Sequence, residues 1–123
     1  EFVHPVLVGK RALPAIAITG DSTAMLARLG VLGDPRDIAM ALDLTGATGA
    51  CADALALARA RGMLTIALFG RGDESGEVQR AAAAEHVFVV EASDPMVIQE
   101  THETLYHVIW ELVHLFFEQQ GPQ

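Results

Sequence analysis

At 123 residues, 51% hydrophobic and 20% charged, the chain has the length of one domain and enough apolar surface for a packed core, which excludes a disordered polymer. Its 16 acidic residues outweigh 8 basic ones, for a formal net charge of −8; Lys10 and seven scattered arginines form no basic stripe, so nucleic acid is not an expected partner. The lone Cys51 excludes a disulfide framework and a cysteine-based zinc site, and no apolar run reaches the length of a membrane span. With no signal-peptide pattern, a reducing, cytoplasmic setting is expected.

Residues 1–13 begin without a capping signal, as if inside an element, and Glu1-Phe2-Val3 reads as the tail of a helix. Pro14 then introduces a strand over Ala15–Thr19. Gly20-Asp21-Ser22-Thr23 is an N-cap cluster for a helix over about 23–29. A turn at Gly33-Asp34-Pro35-Arg36 leads into a second strand, Asp37–Leu42. The hydroxyl-rich loop Thr45-Gly46-Ala47-Thr48-Gly49 opens an alanine-rich helix to about Arg61, and Gly62 is placed to end it. Met63–Phe69 is a third strand, followed by Gly70-Arg71-Gly72-Asp73; a short helix near 77–84 precedes a fourth strand, His86–Val90. The strands are continuously apolar, the pattern of a parallel sheet between helix layers, so the expected class is three-layer α/β/α.

The terminal helix starts at Asp94-Pro95 and runs to about Gln119. Its polar residues Glu100, Glu103, His107, Glu111, His114 and Glu118 follow one another at spacings of 3, 4, 4, 3 and 4. They trace a single line along a helix that is otherwise apolar and is expected to be buried, packing on another subunit as well as on its own sheet.

Three patterns carry chemistry. The loop at Thr45–Gly49 joins a strand to a helix N-terminus, where amides and two hydroxyls suit a phosphate; an ordinary tight turn has the same composition. Asp43, a carboxylate at the strand tip, opposes an anion there. Thr19–Thr23 and Gly70–Asp73 lie at the same sheet edge; both serve a ligand crevice or plain capping, and Arg71-Gly72-Asp73 is a turn rather than an adhesion signal. Gln99, Glu103 and His107 share a helix face that suits acid–base or metal chemistry, although His102 and His107 are five apart and do not form the H-E-x-x-H zinc pattern. Cys51, near a helix start, is a small core residue or a thiol of lowered pKa.

Together, several segments resemble the sugar isomerase (SIS) domain, and within it the phosphoheptose isomerase group. They are Ile98-Gln99-Glu100-x-His102-x-x-Leu105-x-His107 with Glu111-Leu112-Val113, Ala58-Arg59-x-x-Gly62-Met63-x-Thr65-Ile66-x-Leu68-x-Gly70, and Pro14–Thr19 with Asp21-Ser22-Thr23. The resemblance covers nearly the whole chain as one phosphosugar-binding domain over residues 1–123. It implies a flavodoxin-like parallel sheet and a homodimer or homotetramer joined through the C-terminal helix. It also implies isomerisation of sedoheptulose 7-phosphate through an enediol. On the family pattern, Glu1 and His107 are the proton-transfer pair. Thr45 and Thr48 hold the phosphate, Asp21, Ser22 and Thr23 line the substrate site, and Gln99 with His107 are candidate zinc ligands.

The sequence also departs from the family. Asp43 and Leu44 stand where hydroxyls are usual, the 17 residues between Thr19 and Asp37 form a shortened connection, and the family's first strand and its glycine-rich loop are expected before Glu1. The sheet is therefore expected to carry a gap beside Ala15–Thr19. These departures keep a second reading open, a non-catalytic SIS module acting as an oligomeric adaptor or regulator.

Overall fold

The computed structural model describes residues 2–5, 7, 9–46, 49–72 and 83–121. In chain order these form α1 (Ser22–Leu32), β1 (Ile38–Asp43), α2 (Gly49–Ala60), β2 (Leu64–Gly70), β3 (His86–Val90) and α3 (Pro95–Gln119). The three strands pair in parallel in the order β1-β2-β3. Ile38 lies opposite Leu64 and Asp43 opposite Phe69, while Ile66 lies opposite His86 and Gly70 opposite Val90. The class is α/β, with a parallel sheet and a long C-terminal helix, as the sequence indicates. Most of the helix expected near 77–84 lies outside the described residues.

The chain divides into two compact units, Ile18–His102 and Glu1–Ala17 with Glu103–Gln123. In the first, α2 packs on one face of the sheet and α1 packs on α2. Leu55 of α2 is buried with Ala67, Phe69 and Ala84, and Ala41, Cys51 and Val87 pack around them. Leu29 of α1, Ala58 and Met63 form a second cluster against Ala39, Ala54 and Leu57. The strand residues in these clusters alternate along β1, β2 and β3, as side chains on one sheet face must. Cys51 is thus a packed residue, as the simpler of its two readings held. Burying a side chain of the size of Leu55 stabilises the fold by about 1.5–3 kcal/mol.

The caps follow the sequence. Asp21 accepts from the Ala24 amide at 2.9 Å at the start of α1. Asp94 accepts from the Met96 amide at 2.9 Å at the start of α3. Gly62, with φ +81°, ends α2.

Three expectations are corrected. Ala15–Thr19 is not a strand: the segment is exposed, and no described strand lies beside it to form a ladder. Backbone groups without a ladder partner go to water, so an apolar, β-prone sequence stays irregular. It therefore neither borders a slot in the sheet nor pairs directly with β1. Phe2–Pro5 are not helical; they belong to a turned segment in which the Leu13 amide donates to the Phe2 carbonyl at 2.7 Å. α3, finally, is not buried around most of its circumference. Val108, Leu112, Leu115, Phe116 and Phe117 are exposed, whereas His114, assigned to the polar line, is buried.

The reason for the last reversal lies within the second unit, where Phe2, Lys10 and Arg11 pack against α3. Phe2 meets Tyr106 edge to face at 5.4 Å between ring centroids. The guanidinium of Arg11 lies over the Phe117 ring. Nδ1 of His114 lies 2.9 Å from the Trp110 carbonyl and Nε2 lies 2.9 Å from the Arg11 carbonyl. Both partners only accept, so each ring nitrogen donates there only when protonated. Lys10 donates to Glu118 at 2.8 Å, with Glu111 at 3.8 Å. That bond holds the Glu118 carboxyl below its usual range and raises the Lys10 ammonium. Among the described residues no helix is long and apolar enough to cross a membrane.

Two predictions follow from this packing. A lowered carboxyl pKa stabilises the fold above the unfolded-state value, and that contribution is lost as pH falls through the folded value. Lys10→Met should therefore lower the melting temperature slightly at neutral pH, and the difference from the parent chain should vanish in acid, as read by thermal melts across pH 3–8. A β carbon at Gly70 would collide with the Leu44 carbonyl oxygen and lie 3.1 Å from the Ile98 side chain. Gly70→Ala should cost about 1–3 kcal/mol or more in urea unfolding, because backbone cannot give way as a flexible side chain can.

Candidate functional site

Parallel strands in register deliver their carboxyl ends to one edge, where open α/β sheets bind ligands. Here that edge carries Asp43 and the loop 44–46 after β1, Gly70-Arg71-Gly72 after β2, and Glu91 after β3. The close passage of Leu44 over Gly70 fixes where the first loop leaves the sheet. Gly46, buried and at φ +123°, then turns the chain toward α2 in a backbone conformation that side chains resist.

Thr45 is held by its neighbour. Asp43 Oδ1 accepts from both the Thr45 amide and the Thr45 hydroxyl, each at 2.9 Å. The two donors that suit a phosphate oxygen are thus already bound to a carboxylate oxygen. Thr48, the second candidate phosphate ligand, lies outside the described residues.

The α1 cluster is likewise engaged. Asp21 caps its helix, and Ser22 donates to Asp53 Oδ2 at 2.9 Å, tying the start of α1 to α2. Thr23 is exposed in the first turn. Of the proposed substrate-binding residues, the structure therefore places Asp21 as the cap of α1, Ser22 as a link to α2 and Thr23 exposed in the first turn. Asp53 was not legible as a partner; its one signal is that it is the single acid in an alanine-rich helix. At the other loop, Arg71 Nε lies 3.5 Å from Glu91 Oε2, an exposed pair worth little on its own.

On α3, Gln99 and His107 are both exposed, and His107 Nδ1 lies against the Glu103 carbonyl one turn earlier. That contact orients the ring. His102 is 2% exposed, and among the described residues neither ring nitrogen has a hydrogen-bond partner. Glu1, the proposed base, lies outside the described residues. No group of three or more His, Cys, Asp or Glu side chains among the described residues comes together to hold a metal. Two donors, Gln99 and His107, do not make up a tetrahedral zinc site by themselves.

No family model matches the chain. It is 30% identical over 126 residues to a phosphoheptose isomerase of Geobacter metallireducens, covering 92% of this chain and 65% of the relative. It is 33% identical over 131 residues to a phosphoheptose isomerase of Desulfovibrio desulfuricans, covering 94% of this chain and 60% of the relative. The chain thus spans less than two thirds of the curated relatives it matches. Among solved structures, that of a phosphoheptose isomerase from Francisella tularensis superposes with a TM-score of 0.78 at 22% identity, over 94% of this chain and 66% of that one. This likeness shows the fold.

The geometry of Thr45 yields a prediction. Asp43→Ser should tighten binding of inorganic phosphate, because it frees the Thr45 donors and removes a charge. A unit charge at ~4 Å from a phosphate costs on the order of 4 kcal/mol at an effective dielectric of 20, before relaxation. Calorimetry is the check, and unchanged or weaker affinity contradicts the assignment.

Proposed function

Because the chain is homologous to curated phosphoheptose isomerases over more than nine tenths of its length, we propose that it is a sugar-phosphate isomerase domain acting on sedoheptulose 7-phosphate. The observation that carries this reading is the carboxyl edge of the sheet, where Asp43 ends β1 and Thr45 and Gly46 follow it. The reaction moves two protons, one from carbon to carbon and one from oxygen to oxygen. A base removes a proton from C1 of the ketose, next to the C2 carbonyl. The electron pair of that C–H bond forms the enediol double bond, and the carbonyl oxygen takes a proton. Return of a proton to C2 and loss of the C1 hydroxyl proton give the aldose phosphate.

In this proposal His107 exchanges a proton through Nε2, with its other nitrogen held by the Glu103 carbonyl. Glu1 is the partner base, assigned from the family pattern. Thr45 and Thr48 anchor the phosphate, with Asp21, Ser22 and Thr23 bordering the sugar. Gln99 and His107 are the donors this chain contributes to a zinc ion; the described residues do not complete its coordination, so no step is routed through the metal. A homodimer or homotetramer is assigned to α3, whose apolar residues Val108, Leu112 and Phe116 are exposed. A cytoplasmic location agrees with a sugar-phosphate substrate and with a chain that has a single cysteine, Cys51.

One observation favours the second reading. Asp43 occupies the Thr45 donors, as expected of a SIS module that has lost its substrate and works as an oligomeric adaptor or regulator. The assay separates the two. With sedoheptulose 7-phosphate, the isomerase reading predicts turnover that His107→Ala reduces by ~10²–10⁴-fold, the usual contribution of a general acid–base group. Absence of turnover in the parent chain, with no thermal stabilisation by the sugar phosphate, supports the adaptor.

A further inference from the structure

Near its end α3 carries a histidine that is buried and yet fully engaged. His114 is 2% exposed. Its Nδ1 lies 2.9 Å from the Trp110 carbonyl, one turn earlier on the same helix, and its Nε2 lies 2.9 Å from the Arg11 carbonyl, 103 residues away in sequence. The Trp110 ring sits 4.4 Å from the imidazole, centroid to centroid, at an interplanar angle of 41°. All of these groups belong to the second unit, Glu1–Ala17 with Glu103–Gln123.

A neutral imidazole has one N–H and one bare lone pair. In either tautomer one ring nitrogen would then face a carbonyl oxygen, lone pair to lone pair. The two contacts differ in what holds them. The Trp110 carbonyl is fixed beside the ring by the helix itself, so the neutral ring keeps that contact through Nδ1–H. The Arg11 carbonyl has no such continuity, and the repulsion falls on it. Only the imidazolium donates to both. Burial opposes the charge, while two charge-assisted hydrogen bonds and the indole face favour it.

The charged neighbours come from both elements. α3 supplies Glu111 and Glu118, and the N-terminal segment supplies Lys10 and Arg11. Lys10 donates to Glu118 at 2.8 Å and lies 3.8 Å from Glu111. The Arg11 guanidinium carbon is 5.8 Å from the centre of the Phe117 ring. The Lys10 bond holds the Glu118 carboxyl below its usual range, and a charged His114 adds to that pull. Two carboxylates thus answer two cations, which leaves the carbonyl pair and the indole to decide the proton on His114. The unit's other histidines, His4 and His107, are exposed.

We propose that His114 is a proton-gated clip. Charged, it binds the Arg11 carbonyl and holds the segment Gly9–Leu13 on α3; on losing its proton it keeps only the Trp110 contact and releases the segment. A tie that needs the proton is present on the acid side of the titration and is lost as pH rises through it. The Lys10–Glu118 tie runs the other way, being lost in acid, and as an exposed pair it holds little by itself. None of this depends on the isomerase reading.

The test is nuclear magnetic resonance of the full, isotopically labelled chain from about pH 5 to 8. The ring nitrogens of His114 and the amides of Gly9, Lys10, Arg11 and Ala12 are followed together. At the acid end both ring nitrogens are expected to be protonated. As pH rises, Nε2 is expected to lose its proton and the four amides to shift with the same midpoint. His114→Phe, which keeps a ring against Trp110 but donates nothing, is expected to abolish that pH-dependent shift; His114→Gln replaces it if circular dichroism shows that the phenylalanine variant does not fold. His4→Asn is expected to leave the shift in place. The clip is overturned if the shift survives loss of His114, if it disappears in His4→Asn, if the ring titrates while the amides hold still, or if the ring keeps one protonation state throughout.

Discussion

The passage of the Leu44 carbonyl over Gly70 is the constraint on which the candidate site depends. β1 and β2 are held in register along six residue pairs, ending with Asp43 opposite Phe69. The Leu44 carbonyl, leaving β1, then passes so close to the end of β2 that a β carbon at Gly70 would collide with it. It can do so only where no β carbon stands in the way. That close passage sets the position of Thr45, brings Asp43 within hydrogen-bond reach of it, and aims the start of α2 at the carboxyl edge. A methyl group at one residue would disturb all three.

The same edge shows how a binding loop carries its own competitor. Asp43 satisfies the amide and hydroxyl of Thr45 and so stabilises the turn without a ligand. In the proposed site a phosphate would have to displace this carboxylate, which is tethered two residues away and present at high effective concentration. The pairing of Ser22 with Asp53 works in the same direction, since it links two helix starts without using a ligand. His107 has one ring nitrogen held by the Glu103 carbonyl.

Much of this was legible in the residues. The caps at Asp21 and Asp94, the stop at Gly62 and the parallel, doubly apolar strands all follow from local chemistry, and their boundaries fall within a few residues of expectation. The likeness to sugar isomerases was legible because it rests on motifs spread along the whole chain. Tertiary partnership was not. Ala15–Thr19 has the composition of a strand, but strand formation needs a neighbour, and sequence composition does not report one. The buried His114 depends on Arg11 packing against α3, a pairing more than 100 residues apart in sequence. The self-satisfied Thr45 was only half visible: Asp43 was read as a repelling charge, while its role as acceptor for both Thr45 donors needed coordinates.

The account turns on the carboxyl edge of the sheet as the place where a sugar phosphate docks. Amide chemical shifts of the isotopically labelled chain, followed as sedoheptulose 7-phosphate is added, test this directly. The account predicts saturable shifts concentrated at Thr45, Gly46 and the first turn of α2 at Gly49–Cys51, with smaller ones at Gly70 and Arg71. Shifts confined to other surfaces, or none at millimolar ligand, would contradict it.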